Sequence, residues 1–222
     1  MPSRPFLRYE GVAMGIQLYG WPQSTAARVH WALEELGVKY EYVTLDQKNG
    51  DNRTAAYLAI NPTGKVPGLV DGGQPYFESV AILLHLGETY GRERGLWPTA
   101  DAARAEALCW TVWGTTELHL YVMQWLYHGV DTMVSYAPAD RSKATADYNH
   151  GQVQRLLDAL EARLTGRDYI LGASFSLADI PAASALLLAL ELGGGVEGRK
   201  NVAAWVERCR ARPAFARSGG PG

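Results

Sequence analysis

The stretch INPTGKVPGLV, Ile60–Val70, places two prolines and two glycines inside an otherwise strand-like apolar run. Proline has no backbone N–H, so a sheet accepts it only at an edge, at a strand start or at a bulge. Pro67 therefore either begins an edge strand or follows a cis peptide bond. In the second interpretation the chain bends, and the N–H and C=O of Val66 stay unpaired within the protein. They would then be free to pair with an extended peptide ligand.

The residues around this stretch predict an α/β domain over 14–91, preceded by an arm over 1–13. Alternating or apolar runs bounded by turn residues indicate strands, and apolar residues at helical spacing that end at a glycine indicate helices. We expect Ser79 to cap the last helix of this domain. The opening β-α-β unit implies a parallel pair of strands. The predicted order is β-α-β-α-β-β-α, with strands at 15–20, 39–46, 65–70 and 74–78 and helices at 24–37, within 49–61 and at 79–91.

The second half of the chain reads as a helical domain over 102–217, after a linker at 92–101 and before a disordered tail at 218–222. No strand pattern occurs there, and a long aromatic-rich helix with an internal glycine opens the domain. Ser176 and Asp179 have the spacing of a capping box, with Asp in place of Glu or Gln. We therefore interpret Asp179 as structural.

Composition and charge exclude several classes of function. The net charge of −2 offers no attraction to nucleic acid or to an anionic membrane, and no apolar run reaches the length of a membrane span. Cys109 and Cys209 lie far apart and outside any metal-binding spacing, so we expect no disulfide, no metal site and a cytoplasmic location. The scattered histidines and the lack of a GxSxG turn argue against a serine hydrolase.

Several segments together resemble the soluble glutathione S-transferases, over roughly residues 15–217. LYGWPQSTAARVHWALEELG, NPTGKVPGLV and YFESVAILLHL resemble their thioredoxin-like, glutathione-binding domain, and YILGASFSLADIPAASAL and NVAAWVERCRARPAF resemble their helical domain. The resemblance, to a serine-type bacterial member, implies a thioredoxin-like domain followed by an all-α domain. It also implies a cytoplasmic homodimer that conjugates glutathione to a small hydrophobic electrophile in detoxification, without a metal.

The same resemblance implies roles for the residues of the opening stretch. Val66, ahead of a cis Pro67, pairs its backbone with the cysteinyl backbone of glutathione, and Lys65 reaches the glycine carboxylate. Asn52 and Arg53 lie where some members of the family place a further carboxylate contact.

Glu78 and Ser79 match the positions that hold the γ-glutamyl end of glutathione in this family. The N-terminus of a helix favours an anion, which suits the γ-glutamyl carboxylate, and the acid suits the amine. Taken without the resemblance, the same two residues would be an ordinary helix cap beside an exposed acid.

The reacting group must be a thiolate, because a thiol with a pKa near ~8.5 is mostly protonated at neutral pH. A hydroxyl between the first strand and the first helix can stabilise it, and Ser24 holds that place, with Thr25 as the next candidate. When Arg28-Val29 is used as the anchor of the comparison, some subfamilies of this family place their serine opposite Gln23 instead. Members with a tyrosine donor place it near Tyr19. The loop contains no cysteine, which argues against thiol–disulfide exchange.

The long helix of the second domain walls the electrophile pocket in this family. Trp113, Tyr121 and Trp125 are the predicted substrate-binding residues, although aromatic side chains at helical spacing are commonly core residues. Two alternatives stay open. One is another glutathione-dependent reaction, by an isomerase, dehalogenase, lyase or peroxidase. The other is a non-catalytic binding protein that has kept the fold.

Overall fold

A computed structural model describes residues 15–220, so the arm expected at 1–13 lies outside the described residues. The first domain follows the predicted order, with a one-turn 3₁₀ helix (Asp51–Arg53) added before the second helix. Its elements are β1 (Ile16–Gly20), α1 (Ala26–Leu36), β2 (Tyr40–Thr44), α2 (Ala55–Leu58), β3 (Gly68–Asp71), β4 (Gln74–Phe77) and α3 (Ser79–Leu86).

The four strands form one mixed sheet in the order β2-β1-β3-β4. β1 and β2 are parallel, as the β-α-β pattern predicts, and β3 pairs antiparallel with both β1 and β4. The β3–β4 hairpin turns at Gly72 and Gly73, whose φ angles of 56° and 85° suit a two-residue turn that needs positive φ at both positions. Gly68 pairs with Phe77 at the end of this ladder, which brings Pro67 beside Glu78.

The second domain is helical from Asp101 onward. The predicted long helix consists of α4 (Asp101–Trp113) and α5 (His119–Gly129), joined by a π-helical turn at Gly114–Leu118. A Cβ on Gly114 would lie 2.9 Å from the backbone nitrogen of Ala182, so glycine allows α7 (Ile180–Glu191) to pack against this turn. The helices are α4 (Asp101–Trp113), α5 (His119–Gly129), α6 (Lys143–Arg163), α7 (Ile180–Glu191), α8 (Lys200–Arg210) and α9 (Pro213–Arg217).

The start of α7 is organised by Asp179, which is completely buried. The predicted capping box is present, since Asp179 accepts from the Ser176 backbone N–H at 2.9 Å while the Ser176 side chain caps in return. Its carboxylate also accepts from Ile170 N at 2.8 Å and from Trp205 Nε1 at 2.9 Å. Asp179 therefore joins three segments of the helical core and takes no part in the cleft described below.

Helix α1 packs between the sheet and the helical domain. Trp31, 1% exposed, contacts Phe175 and Phe215 with ring centroids 5.9 and 4.9 Å apart. Arg212 donates to Glu35 at 2.7 Å and fixes α9 on the same helix. The expected disordered tail needs correction at its first residue: Ser218 is buried and donates to Phe215 O at 2.8 Å, because it continues the packed end of α9.

Candidate active site

A cleft of about 1080 Å³ lies between the two domains, and Val66 is on its wall. The Val66–Pro67 peptide is cis, which confirms the sharper of the two interpretations of the opening stretch. Among residues 15–220 nothing accepts from the Val66 N–H. The Val66 carbonyl differs from the prediction, since it accepts from Thr25 Oγ1 at 3.1 Å. A carbonyl oxygen has two lone pairs, so it can still accept from a ligand.

Three buried side chains hold the loop around Val66. Burial raises the pKa of Tyr57 to about 12, so its hydroxyl remains a donor at neutral pH. These contacts bind the neighbouring carbonyls and do not involve the N–H of Val66. They run from Asn52 Nδ2 to Gly64 O at 2.6 Å, from Tyr57 Oη to Lys65 O at 2.6 Å, and from Asn61 Nδ2 to Lys65 O at 2.7 Å and Pro67 O at 3.3 Å.

Two exposed cations line the same part of the cleft. Lys65 and Arg53 make no ion pair within the described part of the chain. Arg53 lies over Gly64, where a Cβ would come within 2.8 Å of its Nη1, and Gly64 has a φ of 65°. Asn52 Nδ2 donates one of its two hydrogens to the Gly64 carbonyl. The cleft thus presents two cations suited to a carboxylate.

Ser24 and Thr25 also lie in the cleft, at the N-terminus of α1. The Ser24 hydroxyl donates to Trp21 O at 2.6 Å and accepts weakly from Ala26 N at 3.3 Å. It must rotate away from Trp21 before it can donate to a ligand. The Thr25 N–H has no acceptor among residues 15–220, so this corner offers two hydroxyls and one backbone donor.

The two other residues considered as thiolate-stabilising donors, Tyr19 and Gln23, differ in their position relative to the cleft. Tyr19 lies outside the cleft: its hydroxyl donates to Gln17 Oε1 at 3.2 Å and its ring packs against Tyr57 at 6.0 Å. Gln23 lines the cleft and has a φ of 60°, an unusual conformation for a residue other than glycine. Gln23 directly precedes Ser24 and Thr25, and all three line the cleft.

Glu78 and Ser79 lie at the end of β4, next in register to Pro67. The cap assignment was wrong: Ser79 is the first residue of α3, and Glu78 is its N-cap without a side-chain capping bond. Glu78 has a φ of 68°, a strained conformation of the kind that concentrates at functional sites. Neither residue lines the cleft itself. They form a separate corner beside it, where the first N–H groups of α3 are available.

The helical domain supplies the opposite wall of the cleft. His119, Met123 and Tyr127 follow one another at four-residue spacing and so share one face of α5. The remaining residues of this wall are mostly apolar and come from the segment after α5, from the end of α7 and from the end of the chain: Met133, Val134, Leu188, Glu191, Leu192, Gly219 and Gly220.

The predicted substrate residues lie elsewhere. Trp113 packs edge-on against Trp110 at 5.0 Å, Tyr121 contacts Tyr148 at 6.5 Å, and Trp125 contacts His150 at 5.0 Å. None of the three lines the cleft. The prediction followed aromatic size, whereas the rotation of α5 places the 119/123/127 stripe toward the cleft. That i, i+4 stripe was the signal in the sequence that could have identified the wall.

Among residues 15–220 no cluster of three or more His, Cys, Asp or Glu side chains could hold a metal ion. No helix of that same region is both long and apolar enough to cross a membrane.

Comparison with known proteins gives consistent matches along the chain. The family model described as "Glutathione S-transferase, N-terminal domain" matches residues 14–88, and the corresponding C-terminal domain model matches 123–213. Glutathione S-transferase 3 of Zea mays is 37% identical over 90% of this chain and 91% of its own. Among solved structures, the theta class glutathione S-transferase of Xanthomonas axonopodis pv. citri, with glutathione bound, is 31% identical.

That structure covers 93% of this chain and 97% of its own, with a TM-score of 0.80. A glutathione transferase from Burkholderia graminis, with two glutathione molecules bound per subunit, has a TM-score of 0.81 and 30% identity over 92% of this chain and 87% of its own. The thioredoxin-like domain and the helical domain are thus both matched. The chain belongs to the glutathione S-transferase family.

Proposed function

We propose that this protein transfers glutathione to a hydrophobic electrophile, by attack of the glutathione thiolate on an electrophilic carbon. One observation carries the proposal. The N–H of Val66, beside a cis proline, has no partner among the described residues, and Val66 lines a cleft that also contains two cations without an ion pair there and the N-terminus of α1. A main-chain donor and a main-chain acceptor at one residue are what an extended tripeptide requires.

The tripeptide is held at three points. Val66 pairs with the cysteinyl backbone, and Lys65 and Arg53 bind the glycine carboxylate. Glu78 takes the γ-glutamyl amine, while Ser79 and the first N–H groups of α3 take the γ-glutamyl carboxylate. Support for this placement comes from the register of the β3–β4 ladder, which sets Glu78 beside Pro67.

The sulfur lies at the N-terminus of α1, where the helix dipole and Ser24 stabilise the thiolate. Ser24 releases its hydrogen bond to Trp21 O and donates to the sulfur instead. Thr25, through its N–H or its hydroxyl, is the alternative donor. The electrophile lies between this corner and the wall formed by His119, Met123 and Tyr127, in place of the predicted Trp113, Tyr121 and Trp125.

We also propose a homodimer in the cytoplasm. Ala105, Cys109, Val112, Thr116 and Leu120 are all exposed and lie three or four residues apart, so they form an unpartnered stripe of small and apolar residues along α4 and the start of α5. Val112 and Leu120 are 40% and 50% exposed. Both cysteines are free thiols, which suits a reducing compartment.

The test combines binding with turnover. Calorimetric titration with glutathione should show one saturable site per chain, and a panel of aryl halides, enones and organic peroxides should identify the reaction. Conjugation of an aryl halide or enone supports a transferase. Reduction of the peroxide alone supports the alternative glutathione-dependent activity, and tight binding without turnover of any compound supports a non-catalytic protein. Absence of glutathione binding overturns the proposal.

A further inference from the structure

Arg28 is a buried cation with no counter-charge in the part of the chain that the structure describes. It lies on α1 and is 1% exposed, and burial lowers its pKa to about 10, so it stays charged at neutral pH. Its Nε and Nη1 have no hydrogen-bond partner, and no carboxylate forms an ion pair with it, among residues 15–220. Such an arrangement is costly to stability, which suggests that the charge serves a ligand.

The one polar contact of Arg28 fixes the tautomer of His119. Arg28 Nη2 lies 3.0 Å from His119 Nδ1. Arginine has only donors, so Nδ1 must accept and the ring proton must be on Nε2. Burial and the charge of Arg28 hold the pKa of His119 well below its usual range, so the ring stays neutral.

The Nε2–H of His119 faces the cleft. The His119 ring is part of the cleft wall, and Nε2 has no partner within the described residues. Nε2 is also not one of the fully buried polar atoms that lack a partner, so it is open to the cleft. Met123 and Leu188 on the same wall are apolar, and Tyr127 and Glu191 also line it. His119 thus adds an oriented donor to the helical wall of the cleft that also contains Ser24 and Thr25.

We propose that His119, positioned by Arg28, hydrogen-bonds an acceptor oxygen on the electrophile, so that the cleft selects apolar α,β-unsaturated carbonyl compounds. The inference rests on the proposed transferase function. The thiolate sulfur forms a bond to the β-carbon, and the electron pair of the carbon–carbon double bond shifts until the negative charge lies on the carbonyl oxygen. His119 Nε2–H stabilises this enolate, with the charge of Arg28 behind the ring. A proton from water then adds to the α-carbon and gives the thioether, with no net oxidation or reduction.

The test compares two electrophiles in the full-length protein with glutathione. 4-Phenyl-3-buten-2-one develops charge on an oxygen, whereas benzyl chloride loses chloride and has no oxygen to bind. His119→Phe keeps the ring and removes the donor, and it should lower kcat/KM for the enone by about 10²-fold while benzyl chloride is little affected. His119→Gln, which keeps an N–H, should recover part of the loss.

Arg28→Met tests the positioning role. It should reduce enone turnover selectively, and the ¹⁵N chemical shifts of His119 at neutral pH should change from the Nε2–H tautomer to a mixture. Its melting temperature should equal or exceed that of the wild type, because the change removes an unpaired buried charge. If this variant does not fold, His119→Phe alone decides.

Equal loss with both electrophiles in His119→Phe, or an unchanged enone rate, overturns the inference but leaves the transferase in place. The same holds if the wild type conjugates benzyl chloride and not the enone. A wild-type protein that binds glutathione and conjugates neither of these compounds nor any aryl halide refutes the proposed function, and this inference with it; conjugation of an aryl halide alone overturns only the inference.

Discussion

Replacing Asn61 by Ala should destabilise the protein and weaken glutathione binding together. Asn61 is 2% exposed and donates to Lys65 O and Pro67 O, while its Oδ1 accepts from Thr63. In the variant, Lys65 O still accepts from the Tyr57 hydroxyl, and the exposed Thr63 can bind water instead. The main cost is therefore that Pro67 O loses its hydrogen-bond donor. A lost hydrogen bond of about 1 kcal/mol and an unsatisfied buried carbonyl of about 1–3 kcal/mol give about 2–4 kcal/mol.

A loss of that size should leave the variant folded, because domains are typically stable by about 5–15 kcal/mol. If glutathione must spend about 1.4 kcal/mol of its binding free energy to restore the loop geometry in the variant, the Kd for glutathione rises about tenfold. Urea denaturation and calorimetry measure the two quantities. Asn49→Ala is the matched control, since Asn49 is exposed and its side chain makes no hydrogen bond within the described residues. An Asn61→Ala variant with reduced stability and wild-type affinity would refute the claim that this loop positions the ligand.

Four further substitutions test the remaining parts of the site and the proposed dimer. Ser24→Ala should raise the pKa of the bound glutathione thiol by about 1 unit. The variant loses a charge-assisted hydrogen bond to the thiolate, but the hydrogen bond from Ser24 to Trp21 O no longer has to be broken. Thiolate absorbance against pH measures the pKa, and a larger shift in Thr25→Val would move the role to Thr25. Lys65→Ala and Glu78→Gln should each raise the Kd for glutathione about tenfold while kcat at saturation is kept, and an unchanged Kd removes that residue from the site. Val112→Glu places a carboxylate on the exposed stripe and should turn a dimer into a monomer by light scattering; a monomeric wild type contradicts the dimer.

The order of elements in the first domain could be predicted because local signals mark each one. The glycine after α1, the Gly72-Gly73 turn and the alternation in β2 each act over a few residues. The cis Val66–Pro67 bond could be predicted because Val66-Pro67 lies in a recurring motif. The contact between Thr25 and the Val66 carbonyl could not, since it joins residues 41 apart in the chain.

The sequence did not indicate which residues of the helical domain line the cleft. The π-helical turn before α5 and the close approach of α7 at Gly114 set the face of α5 that lines the cleft. The spacing of aromatic residues in the sequence reveals neither feature. The environment of Arg28 could not be predicted, because only the folded structure shows that no carboxylate among residues 15–220 pairs with it. Large side chains such as Trp113 and Trp125 therefore attracted the prediction, while His119 and Met123 form the wall.

A crystal structure of the protein with bound glutathione tests the central claim most directly. The account predicts that the Val66 N–H donates to the cysteinyl carbonyl of glutathione, with N···O of about 2.7–3.2 Å, and that the sulfur lies at the N-terminus of α1. Glutathione bound elsewhere, or bound in the cleft while the Val66 N–H stays unpaired, would contradict it.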